Sequence, residues 1–136
     1  MNTPPNATWV NATELAGRFL LALPFLLSGV GKVGAYAGTA AYMSSVGIPG
    51  ALLPIVIATE VGGSILIALG WKTRVVAFLM AGFCLVTALA MHRNFADQTQ
   101  MISFFKNVSI AGGFLLLVAN GAGPLSIDRR SSRRAQ

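Results

Sequence analysis

One carboxylate, Glu60, interrupts residues 51–70, an otherwise apolar stretch of membrane-crossing length. Nine residues of helix separate it from Ala51, roughly 14 Å at 1.5 Å per residue, which places it deep in the hydrocarbon. An ionised acid at that depth must face protein or a water-filled cavity and find a partner. Lys32 and Lys106 are the cations that could serve. His92 and Asn107 fall at a similar depth when the apolar segments are set side by side. A carboxylate, an amine and an imidazole converging there could hold the polar head of a lipid-soluble molecule and exchange protons with it. Quinones fit that chemistry, because their reduction takes up protons that His or Glu can deliver. Glu60 is then the expected buried acid or base, His92 the proton relay, and Lys32, Lys106 and Asn107 the substrate-binding groups. A blander reading stands beside this one. Lys32, His92 and Lys106 each lie within two turns of a helix end, so their side chains can snorkel to the surface, and an ion pair at Glu60 can serve packing alone.

Four apolar segments must position these residues: 15–34, 51–70, 75–92 and 101–122. Thr13 and Glu14 suit the start of the first as cap and dipole partner. Arg18 lies one turn in and can snorkel, and Pro24 should bend the helix. Ser28, Gly29 and Lys32 share one face of it, a small face that another helix can approach closely. Residues 36–50 are too short and polar to span, and read as an interfacial or partly re-entrant connector with a short helix near 39–46, stopped by Gly47 and Pro49. Trp71 to Arg74 form a tight polar turn, and His92 to Asp97 a polar loop. The fold expected is all-α: a four-helix transmembrane bundle with a short interfacial or re-entrant helix between helices one and two. Residues 1–12 form a polar N-terminal segment, 13–128 the membrane domain and 129–136 a basic tail. Arg18 and Asp128 should meet near one membrane face as a structural ion pair.

Composition supports this class. Of 136 residues, 54% are hydrophobic and 10% charged, against about 25% charged in a soluble domain. The net charge of +6 owes much to Arg129, Arg130, Arg133 and Arg134 in the tail, so it describes a terminus and not a nucleic-acid face. With both termini in the cytoplasm, seven of the ten basic residues lie inside and three outside, which satisfies the positive-inside rule. Membrane lipid is the expected partner of the tail. Residues 1–12 contain no Lys or Arg, unlike the basic leader of a signal peptide. Gly29, Gly31 and Gly34 match GxGxxG literally, but no strand precedes them, so they read as packing positions. The single Cys84 excludes an internal disulfide, and one His with one Cys cannot build a bis-histidine haem or an ordinary zinc site. No metal or covalently bound cofactor is expected.

The ordered set of motifs resembles the DoxX family of small bacterial membrane proteins. Arg18, Ser28-Gly29-Val30-Gly31-Lys32, Gly47-Ile48-Pro49, Glu60-Val61-Gly62-Gly63 and Gly70 carry the likeness, with His92, Lys106-Asn107, Gly112-Gly113 and the closing Gly123-Pro124-Leu125-Ser126-Ile127-Asp128. It covers nearly all of residues 18–128. By resemblance, Arg18, Lys32, Glu60, His92, Asn107 and Asp128 match the family's polar positions. The family takes its name from a subunit of a terminal or thiosulfate:quinone oxidoreductase system. The likeness implies a multi-pass protein of the bacterial inner membrane acting as a subunit of a quinone-linked oxidoreductase, with redox-enzyme subunits or a second copy of the chain as partners. Any catalysis would be shared with such subunits, since the sequence holds no prosthetic-group motif. The alternative is a non-enzymatic assembly or anchoring subunit whose buried polar residues are structural. A transporter would need an oligomer, since four helices are few for a path through one protomer.

Overall fold

A computed structural model describes residues 6–135. Its elements are α1 (Asn6–Gly34), α2 (Tyr36–Ser45), a 3-10 turn (Gly50–Leu52), α3 (Leu53–Leu69), α4 (Thr73–Met91), α5 (Gln98–Asn120) and α6 (Ile127–Arg134). Four of the helices, α1, α3 with its leading turn, α4 and α5, are long and apolar enough to cross a membrane. The described residues thus form the all-α bundle expected, with α2 as the short helix between the first two spans.

Side-chain exposure fits a lipid solvent. Leu20, Leu27, Phe78, Leu79, Val86 and Leu116 all lie outward and exposed, an apolar surface far beyond what a soluble monomer leaves open. The interior is narrow and built of small residues. Ala77, Ala81, Cys84 and Ala88 line the inner face of α4 and are buried, which lets neighbouring backbones approach closely. Phe25 and Phe114 fill the remaining space, with ring centroids 5.6 Å apart. Helix α1 packs along α3 and α4 along α5, and a thinner α3–α4 seam joins the two pairs.

Helix α1 spans Asn6–Gly34, starting well ahead of the expected residue 15, and runs through Pro24 unbroken. At 29 residues it is about 43 Å long, against a hydrocarbon core of about 30 Å. Its first turns therefore extend past the core. They carry polar residues, so no hydropathy signal marks them. Thr13 is not a cap: its Oγ1 donates to the Trp9 carbonyl at 2.8 Å, one turn back within the same helix.

The end of the bundle where α1 starts and α6 lies corrects two further expectations. Arg18 does not snorkel; it is 1% exposed. Its guanidinium donates to the Leu125 carbonyl and, at 3.5 Å, to the Ile67 carbonyl. Nor does it pair with Asp128: the ion pair found among the described residues is Lys32–Glu60. Asp128 instead accepts from the backbone amides of Lys72 at 2.7 Å and Thr73 at 2.9 Å, while its own amide donates to the Gly70 carbonyl at 2.9 Å. A carboxylate there satisfies two of the amides that a helix start leaves without partners and suits the positive end of the dipole. Asp128 thus caps α4 from 55 residues away. Asp128→Ala should cost about 1–2 kcal/mol, the usual range for a lost cap. Chemical unfolding in detergent measures it, and a change under about 0.3 kcal/mol would show that the contact carries no weight.

Candidate functional site

Glu60 sits midway along α3 and faces α1, where Lys32 occupies the last turn. The two helices meet closely because Gly29 lies at their crossing. A Cβ at position 29 would stand 2.7 Å from Val61 Cγ2 and 3.1 Å from Glu60 Cβ. With that space free, the Lys32 amine lies 2.9 Å from both Glu60 carboxylate oxygens. It also donates to Ser28 Oγ at 2.5 Å, and Ser28 in turn donates to Glu60 Oε1 at 3.3 Å. All three amine protons are engaged, and the carboxylate retains lone pairs. The Glu60 side chain is 7% exposed and that of Lys32 24%, so burial falls mainly on the acid.

Lys32 and Glu60 line a partly open cavity of about 380 Å³ between α1, α2, the 3-10 turn, α3 and α4. Most of its wall is apolar, including Met43, Val56 and Phe83. His92, the residue that ends α4, lines it as well. His92 Nδ1 lies 2.9 Å from Gln100 Oε1. That contact holds the His92 ring at the cavity wall. Tyr42 and Thr87 add hydroxyls to the wall.

Lys106 and Asn107 are not brought to this cavity. Lys106 is exposed on α5, and Asn107 Nδ2 donates to the Ser103 carbonyl of its own helix at 2.9 Å. The cause is the packing order: α5 lies along α4 and contributes nothing to the cavity wall. Helix α2 closes that side instead, through Thr39, Tyr42 and Met43. Two residues gain a place that spacing alone did not assign. Ser28 shares the helix face of Lys32, a pattern visible in the sequence. Gln100 reaches His92 across the polar loop, and no periodicity predicts that contact.

A four-helix integral membrane protein with a buried acid–amine pair in the wall of an apolar cavity is the class that this geometry defines. The chain belongs to the DoxX family, whose model matches residues 13–93. It is 45% identical over 120 residues to the inner membrane protein YqjF of Escherichia coli, covering 88% of this chain and 92% of that one. The inner membrane protein YphA of the same organism is 43% identical over 124 residues, covering 85% and 88%. No solved structure gives a significant match.

Proposed function

We propose that the chain is a membrane subunit of a quinone-linked oxidoreductase system and binds a lipid-soluble redox molecule in the Glu60 cavity. The observation that carries this reading is the pairing of an apolar, ring-sized cavity with acceptors at separate points of its wall. About 300–1,000 Å³ is the usual range for small-molecule sites, and few polar groups in a mostly apolar lining is their usual form. They are the Glu60 carboxylate and the His92 ring. Because Lys32 spends its protons on Glu60 and Ser28, the wall offers acceptors more readily than charged donors. A hydroquinone, which brings two O–H donors, fits better than its quinone. Oxidation of a hydroquinone releases two protons and two electrons; Glu60 and His92 are placed to take up the protons, and the electrons pass to a partner redox subunit. In the reverse direction the same groups deliver protons.

A thermal-shift screen of the purified protein against short-chain quinones, their hydroquinones and thiosulfate tests this. Hydroquinones should raise the melting temperature by several degrees, and Glu60→Gln with Lys32→Met should abolish the shift. No response of the wild type to any of these compounds would remove the proposal. One observation favours the second reading, an assembly or anchoring subunit: the Lys32–Glu60–Ser28 group is already closed on itself. That reading predicts a stability loss on Glu60→Gln with no ligand response in the wild type.

The reading places both termini in the cytoplasm, the bundle in the bacterial inner membrane and the cavity in its outer half. The basic residues at the α3–α4 turn and in α6 support that orientation. A green fluorescent protein fused after Gln136 should fluoresce, while alkaline phosphatase fused there should stay inactive. The opposite pair of results would invert the topology.

A further inference from the structure

At the end of the bundle away from the Glu60 cavity, a second groove of about 690 Å³ opens between the α3–α4 turn, the end of α5 and α6. Trp71, Lys72, Thr73, Arg74, Asp128 and Ser131 are among the residues that line it. Neither Lys72 nor Arg74 has an acid within ion-pair distance among the described residues. The nearby Asp128 carboxylate is already held by the Lys72 and Thr73 amides. Thr73 is fully buried, and its Oγ1 has no hydrogen-bond partner, an unsatisfied state that a ligand oxygen or water normally relieves. The groove therefore presents two cations and the Ser131 hydroxyl to whatever enters it, and an anionic oxygen seated between Lys72 and Arg74 meets charge-assisted donors.

We propose that this groove holds the phosphate of an anionic phospholipid. The surroundings select a lipid over free phosphate. Trp71 is half-exposed beside the groove, the position an indole takes at the membrane interface. Lys72 lies over its ring, 5.7 Å from the centroid. Directly deeper along α4, Val75, Phe78 and Leu79 are all exposed and share one helix face at spacings of three and four. A phosphate seated between Lys72 and Arg74 has its acyl chains laid along that apolar strip. The site shares no residue with the Glu60 cavity and does not depend on its function.

The test uses the full chain in detergent, with native mass spectrometry and thermal shift. The probes are dioleoylphosphatidylglycerol, dioleoylphosphatidylcholine and inorganic phosphate. Phosphatidylglycerol should bind and stabilise the wild type, and phosphatidylcholine should do so far less. A basic group near a membrane surface contributes roughly a fivefold gain in affinity, so the double variant Lys72→Gln/Arg74→Gln should bind phosphatidylglycerol about 25-fold more weakly. Arg133→Gln/Arg134→Gln, on residues outside the groove, should keep the lipid preference. Equal response to the two lipids in the wild type would overturn the proposal without recourse to any variant. So would a matching stabilisation by millimolar inorganic phosphate, which would make the ligand the free ion. Loss of the preference in the tail variant but not in the groove variant would move the binding to α6 and refute the groove.

Discussion

Lys32→Met should destabilise the bundle by about 3–5 kcal/mol, the usual result of removing one partner from a buried pair. The cost arises from what is left behind. Glu60 lies midway along a spanning helix with its side chain 7% exposed, and without Lys32 its carboxylate keeps Ser28 as its hydrogen-bond donor but no counter-charge. The reverse substitution should cost less. Lys32 sits in the last turn of α1 with its side chain 24% exposed, so after Glu60→Gln the amine can turn toward the interface. The double variant Lys32→Met/Glu60→Gln removes both charges and should recover much of the loss, giving a coupling energy of about 1–3 kcal/mol in the cycle. Reversible unfolding in bicelles supplies all three values. Equal costs for the two single changes, or strictly additive ones, would mean that Glu60 is solvated or paired elsewhere.

Gly70→Val should be as damaging, for a different reason. Gly70 ends α3 with φ at +68°, a conformation that costs an L-residue roughly 1–2 kcal/mol. A Cβ there would also lie 2.6 Å from Ser126 Cβ and 3.1 Å from Ala122 Cβ, and it would run into the Arg18 guanidinium. A long side chain can usually move aside, but Arg18 is buried and tied to the Leu125 and Ile67 carbonyls. A loss above about 3 kcal/mol is expected, seen as failure of the protein to accumulate or as early unfolding. Gly70→Asn separates the causes, since Asn tolerates the left-handed region but still carries a Cβ. If Asn restores stability, only strain mattered. Gly62→Ala is the control: open space surrounds that position, and alanine in a helix is favoured over glycine by about 1 kcal/mol.

How much of this was legible beforehand depended on whether a residue's fate is set locally. The four spans and the connecting α2 follow from runs of apolar residues and from Gly47 and Pro49, and their ends agree to within a few residues except at α1. There the extra turns lie outside the hydrocarbon, where hydropathy says nothing. A cation beside Glu60 follows from the cost of a bare carboxylate in lipid; Lys32 is the expected charge partner and the one found, while the exclusion of Lys106 from the cavity was not legible. That exclusion rests on which helices flank α3: the short loop from His92 to Asp97 makes α5 a neighbour of α4, but nothing local says that α2 and not α5 closes the cavity. Arg18 and Asp128 show the same limit. Each was expected to find an opposite charge, and each found backbone instead, because a helix end offers amides and carbonyls that a sequence does not display. His92 was legible as a polar group at a helix end, whereas its partner Gln100 was not.

Cys84 is fully buried on the inner face of α4, and the sequence holds no other thiol. The molecule therefore carries a built-in chemical clock. A membrane-permeant thiol reagent can reach that sulfur only when the helices part, so its reaction rate reports how often they do, with no engineered label. A compound that holds the four spans together around that core should slow the clock, whereas one that merely coats the lipid-facing surface should leave it running at its native pace.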